Sequence, residues 1–229
     1  LFSRSTRFGS AKSPKRVVTM KNGFEPTHDN ETDLATIETV GHTEIRDFEA
    51  SHLVTTEQVA DFLSEALPST HLESCPGIEY ETAPNPLYPD ALGLFDSLTH
   101  EIHIHGPAER FENAGILLEV ITHEVGHNIH HNLIADHPEV AERWAELHTQ
   151  SWEQYFQDRT GYVSDYARTN VYEDFAETYQ FYVQDSELLQ LVTPEKYEFM
   201  LLEVFSGREY PHMHAYWDYD SAGNKEVCG

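Results

Sequence analysis

The chain has 229 residues, 39% of them hydrophobic, and 40 acidic against 14 basic side chains give it a net charge of −26 at pH 7. That length supports one domain with a sizeable core, and no apolar run approaches the roughly 18–20 residues of a membrane-spanning helix. The charge is uneven: residues 1–24 hold Arg4, Arg7, Lys12, Lys15, Arg16 and Lys21 and no acid, so the rest of the chain carries a net of −32, which repels nucleic acid and anionic membrane and makes both poor partners.

Residues 1–45 read as a disordered or linker tail, rich in Ser, Thr, Lys and Arg and then in Asp and Glu, without hydrophobic periodicity. The chain opens on Leu1, as a fragment or a processed form does, and no signal-peptide core is visible. Thr55-Thr56-Glu57-Gln58 opens a helix with Val59, Phe62, Leu63 and Leu67 on one side, stopped by Pro68. A short strand follows at 78–81, then a stiff loop containing Pro84, Pro86 and Pro89. Residues 92–95 and 100–105 pattern as a hairpin, in whose second arm Ile102 and Ile104 alternate with Glu101, His103 and His105. Residues 108–134 form a long helix with Leu118, Ile121, Val125, Ile129 and Leu133 along one side. Further helices are expected at 138–158, with Val140, Trp144, Leu147, Trp152 and Tyr155 inward, at 171–185 and at 193–205, with a loop over 160–170. Residues 207–229 read as an aromatic, polar tail. Cys75 and Cys228 are too few for a disulfide scaffold; they form one long-range pair or two unrelated thiols.

The long helix carries His123-Glu124-Val125-Gly126-His127, an H-E-x-x-H. Side chains four apart in a helix share a face, so both imidazoles can reach one ion, and Glu124 lies close enough round the helix to hold a water against it. Two neutral histidines, a carboxylate base and an open position are the zinc-peptidase arrangement. Gly126 costs about 1 kcal/mol relative to Ala in mid-helix, which a close approach by another element explains. A strand directly before such a helix is expected to lie beside the cleft, so the 100–105 strand is read as pairing with an extended substrate. Its histidines are read as solvated or substrate-facing rather than as a second metal site.

The third ligand sets the class. His130 and Leu133 stand where a Gly and a His would be needed for the H-E-x-x-H-x-x-G-x-x-H form, so that form is excluded. His130 and His131 follow on the same helix and cannot readily bend back, and they read as neighbours rather than ligands. A second helix offers a better geometry: Glu173 and Glu177 stand four apart, so one can bind the ion while the other holds the free N–H of a ligand histidine.

The run Tyr166-Ala167-Arg168-Thr169-Asn170-Val171-Tyr172-Glu173-Asp174-Phe175-Ala176-Glu177 resembles the second motif of the anthrax lethal factor catalytic domain and of its relatives, the Pro-Pro endopeptidases, downstream of their H-E-x-G-H. The preceding hairpin is similar to the segment before that family's zinc helix, and the resemblance covers about residues 85–185. It implies an α+β, zincin-like metallopeptidase domain over 46–206, with a small twisted sheet, an H-E-x-x-H helix and a helical C-terminal half. It implies one zinc ion held by His123, His127 and Glu173, with Glu124 as general base, Tyr166 as donor to the oxyanion and Glu177 supporting a ligand histidine. The expected activity is endopeptidase cleavage of a peptide or protein substrate. A catalytically silent peptide-binding module and an amide hydrolase acting on a non-peptide substrate are the alternatives. A secreted location is favoured by the resemblance, and the sequence leaves the oligomeric state open.

Overall fold

The computed structural model of the protein describes residues 36–111 and 113–209. Five short strands form one sheet in the order β1-β2-β3-β5-β4: β1 (Ile37–Val40), β2 (Thr43–Arg46), β3 (Gly77–Glu81), β4 (Gly93–Phe95) and β5 (Ile102–His105). β1 and β2 are antiparallel, as are β4 and β5, whereas β3 runs parallel to both its neighbours. Ile45, Ile78 and Ile102 stand side by side across the middle of the sheet, and with Ile104 they are fully buried, which is the apolar face that the alternation predicts. The opposite face carries an ion-pair ladder in which Arg46 Nη2 reaches Glu79 Oε2 at 2.6 Å and Glu101 Oε1 at 3.0 Å.

Two expectations change here. The sheet begins at Ile37, inside the stretch read as a tail; β1 and β2 are four residues each, rich in Thr and Glu, and their burial alternates too briefly to stand out from the surrounding polar sequence. β5 lies between β3 and β4, so both its edges are already hydrogen-bonded and it cannot pair with a substrate. The free edge on that side belongs to β4. The basic opening segment, the aromatic end and Cys228 lie outside the described residues; Cys75 is buried, with its thiol donating to the Gly77 carbonyl at 3.3 Å.

Six α-helices accompany the sheet: α1 (Thr56–Ala66), α2 (Ala114–Asp136), α3 (Pro138–Asp158), α4 (Val171–Gln184), α5 (Ser186–Val192) and α6 (Pro194–Phe199), the last running into a π-helical turn at Met200–Val204. Thr55 and Gln58 close a reciprocal capping box at the start of α1. Asn113 caps α2 by accepting from the Gly115 amide at 2.8 Å, and Asn170 caps α4 by accepting from the Tyr172 and Glu173 amides. α2 is buried nearly all round rather than along one side: Leu118, Ile121 and Val125 are inaccessible, and so are Thr122 and Asn128 on its other faces, because α2 runs between the sheet and α4. The first half of α3 packs inward through Val140 and Trp144, whose indole N–H donates to the Val171 carbonyl at 3.1 Å. Its second half is more open, with Trp152 and Phe156 stacked on the surface. α5 went unpredicted because its seven residues span about two turns, too few for the periodicity to register.

Candidate metal centre

α2 sets His123 and His127 one turn apart, with ring centroids 4.8 Å from each other. α4 crosses close by and brings Glu173 from its first turn: Oε2 lies 3.1 Å from His123 Nε2 and 3.3 Å from His127 Nε2. Gly126 is what permits this approach. A Cβ there would stand 2.9 Å from the Ala176 Cα and 3.2 Å from the Tyr179 Cβ, both on α4.

These separations fit a zinc ion. Nitrogen and oxygen ligands lie about 2.0–2.2 Å from zinc, and at tetrahedral angles such ligands stand roughly 3.3 Å apart. The remaining ring nitrogen of His123, Nδ1, faces Glu177 Oε1 at 3.0 Å. A hydrogen bond from Nδ1–H to Glu177 would leave Nε2 as the atom that could ligate an ion beside Glu173 and His127. Burial alone lowers the His123 pKa, but Glu173, Glu177 and Glu124 outweigh it and hold the ring at about 10. Burial likewise works against the Glu173 charge, yet the two histidines bring its carboxyl down to about 2. The cluster thus holds carboxylates that draw positive charge, which a divalent ion could supply.

Glu124 is buried beside His123, and β4 passes directly over it: a Cβ on Gly93 would come within 2.7 Å of Glu124 Oε1. Tyr166 sits in a single turn of 3₁₀ helix, Tyr166–Arg168, with its ring 5.9 Å from that of His123. Tyr166 is more than half exposed, and partial burial with the charges of Glu173, Glu124 and Glu177 pushes the phenol up to about 12. The ligand atoms open onto a cleft of about 900 Å³ walled by β4, by His131 and Ile134 of α2 and by Tyr166 and Tyr172. A second hollow of about 430 Å³ continues past Gly93 toward Glu119 and Gln180.

His123, Glu124, His127, Tyr166, Glu173 and Glu177 are therefore brought together, and His130 and His131 are not part of the cluster. His130 is buried against Phe175, with rings stacked 4.5 Å apart, and burial followed by the charges of His127 and His131 lowers its pKa to about 4. His131 meets Phe95 and His100 in the wall of the cleft. The strand histidines face the ion-pair ladder, away from the cleft. His103 Nδ1 lies 2.9 Å from Glu81 Oε1 and 3.4 Å from Glu79 Oε1. Arg46 already compensates Glu79, and the fixed Asn85 amide donates to His105 Nε2 at 3.3 Å, which leaves the His105 proton on Nδ1, pointing at Glu81. Glu79, Glu81 and His103 also lie close enough together to hold an ion, although Arg46 already compensates Glu79.

A sequence profile described as "Anthrax toxin lethal factor, N- and C-terminal domain" matches residues 38–202. The chain belongs to the anthrax lethal factor family. No curated protein and no solved structure gives a match. The span shared with the lethal factor family starts in β1 and ends in the π-helical turn, so it takes in the whole sheet, all six helices and both halves of the cluster. Its description covers two kinds of domain; membership gives lineage, and the chemistry must be argued from the side chains.

Sequence reading missed two participants. Ser164 donates to Glu177 Oε2 at 2.5 Å, and Gly93 lies against Glu124. A glycine within a strand signals a close approach and was available as a clue; a serine in a polar loop carries no such signal.

Proposed function

We propose that this lethal factor family member is a zinc-dependent endopeptidase of the zincin type, which hydrolyses peptide bonds with water activated between α2 and α4. The observation that carries the reading is Glu173 Oε2 standing 3.1 and 3.3 Å from the two His Nε2 atoms beside the cleft, a spacing at which the three side chains could hold one zinc ion. His123, His127 and Glu173 hold one zinc ion. When bound, zinc acts as a Lewis acid that polarises the scissile carbonyl and lowers the pKa of water toward 7.

The protein's own groups do the rest. Glu124 takes the proton from the attacking water and returns it to the departing amine nitrogen. Tyr166 donates its hydroxyl hydrogen to the oxygen that gains charge as the carbonyl becomes tetrahedral. Glu177 accepts a hydrogen bond from His123 Nδ1–H and so keeps the ring oriented. The free edge of β4 offers backbone groups to an extended peptide, with Gly93 placing that edge against Glu124. Purely structural zinc needs neither a buried carboxylate base nor a neighbouring phenol, which favours catalysis over a silent binding module. The strongly acidic body favours a peptide or protein substrate over nucleic acid or anionic membrane; none of the described helices is long and apolar enough to cross a membrane.

The test is a peptide-library digest by wild-type protein and Glu124→Gln, with zinc content measured in both. The expected result is equal zinc and a loss of cleavage by at least about a thousandfold in the variant. Equal turnover by the two proteins overturns the reading.

A further inference from the structure

Two parts of the site come from different segments. The ligands lie on α2 and α4, whereas Tyr166 lies in the loop between α3 and α4. One hydroxyl joins them. Ser164 Oγ donates to Glu177 Oε2 at 2.5 Å and accepts the backbone N–H of Ala167 at 3.0 Å. The other oxygen of the same carboxylate meets His123 Nδ1 at 3.0 Å. A hydroxyl has one proton to give and lone pairs to receive, and Ser164 uses both functions here. Ala167 is fully buried and adjoins Tyr166, so the amide that Ser164 holds is the one immediately after the Tyr166 carbonyl. The loop has other anchors, but they pull elsewhere: Lys196 Nζ donates to the Gly161 carbonyl at 2.9 Å, and Arg168 bonds to Tyr155 and Asp165. Those bonds fix the loop to α6 and α3; the Ser164 bond ties it to the residue that orients a metal ligand.

We propose that Ser164 is a positioning residue for the hydrolytic reaction, tying the Tyr166 turn to Glu177 so that the phenol and the His123 ring are set by one shared carboxylate. The inference rests on the zinc-peptidase reading of the site. Without the hydroxyl, Glu177 keeps its bond to His123, but the Ala167 amide loses its acceptor and the Tyr166 turn gains freedom. A phenol that strays by an ångström no longer meets the oxyanion, so the loss falls on the transition state rather than on substrate binding.

The experiment compares wild type, Ser164→Ala, Tyr166→Phe and the double variant in zinc-loaded form. It reads kcat, KM, zinc content and hydrogen exchange at the Ala167 amide. Ser164→Ala is expected to lower kcat about tenfold with KM changed by less than about twofold. In the Tyr166→Phe background the same change should cost less than about twofold, because the group it positions is gone. Exchange at Ala167 should rise at least about tenfold, and Ser164→Thr, which restores a hydroxyl, should return both readouts toward wild type. A full kcat loss in the Tyr166→Phe background, or unchanged Ala167 exchange, overturns the proposal. Should Ser164→Ala fail to fold, Ser164→Cys, with a similar volume and a poor donor, takes its place in the same cycle. If the wild-type protein cuts no peptide, the peptidase reading falls by itself, and Ala167 exchange still decides whether the tether exists.

Discussion

Single residues decide how well the site is aimed, and Gly93 is the clearest case. A methyl group there would sit 2.7 Å from Glu124 Oε1, 2.8 Å from its Cγ and 2.9 Å from Val120 Cγ1. Either the carboxylate or the β4 edge must move. Gly93→Ala is therefore expected to lower kcat by about ten- to a hundredfold while zinc content stays at wild-type level; an unchanged kcat would show that Glu124 does not depend on this contact. His71 is a different kind of residue, remote from the ligands. Its Nδ1 accepts from the Tyr179 hydroxyl at 2.7 Å and its Nε2 donates to the Val204 carbonyl at 3.1 Å. Burial pushes its pKa down to about 4, so the folded protein keeps it neutral while the unfolded chain protonates it near its ordinary value of 6.5. Its contribution is complete above pH 6.5 and is lost as pH falls toward 4, in all about 3 kcal/mol. Urea titrations from pH 7 to pH 4 should show this fall in wild type and a flatter profile in His71→Gln, whose amide donates and accepts without titrating. Parallel profiles would assign the pH dependence to other groups. The contrast between residues also explains what could be read in advance. His123 and His127 were legible because a helix repeats locally; the partners of His71 lie 108 and 133 residues away, and nothing in the local sequence names them.

At the scale of elements, the site depends on two helices meeting at a glycine. Alanine at 126 gains about 1 kcal/mol of helix propensity, but its Cβ would press on the Ala176 backbone, which cannot turn away as a side chain can. Overpacking of this kind costs about 1–3 kcal/mol, and it forces α4, with Glu173 and Glu177, away from the histidines. Gly126→Ala should therefore weaken zinc binding at least about tenfold and lower the urea midpoint. A more stable protein with unaltered zinc affinity would mean that the helix contact does not set the ligand geometry. α4 is tied from its other side by charge. Lys196, the sole lysine among the described residues, lies in the core with Nζ at 2.7 and 2.8 Å from the two oxygens of buried Asp174, where His148 Nδ1 adds a contact at 2.8 Å. Lys196→Met leaves that carboxylate without its ammonium partner and should cost about 3–5 kcal/mol in unfolding free energy; a loss below 1 kcal/mol would mean His148 alone satisfies Asp174. Helices α1 to α4 were legible because each has more than two turns of pattern, and α1, α2 and α4 open on the capping side chains Thr55, Asn113 and Asn170 while α3 opens on Pro138. Strand neighbours were not: the alternation in β5 tells which face is buried, but the partners on its two edges come from β3 and β4, so the sequence reading assigned substrate pairing to a strand that has no free edge.

Across the whole molecule, the excess of acid works against compactness. With 40 carboxylates, 14 cations and a net charge of −26, folding brings like charges together that the unfolded chain keeps apart. Ion pairs such as the Arg46 ladder offset little of this, because exposed pairs contribute about 0–1 kcal/mol each. Salt weakens both effects, but repulsion summed over the surface is the larger and acts over greater distances. The screening length falls from about 10 Å at 0.1 M to about 3 Å at 1 M, short enough to isolate most surface carboxylates from one another while leaving contacts at 2.6–3.0 Å partly intact. The buried Asp174–Lys196 pair is shielded from solvent and hardly changes. The expected outcome is a urea midpoint that climbs steadily between 0.05 and about 1 M KCl, a salt chosen because it is neither strongly excluded from nor strongly bound to protein surfaces. The rise should be equal in wild type and Lys196→Met, since the core pair takes no part in it. A flat or falling midpoint would place the surface pairs above the repulsion.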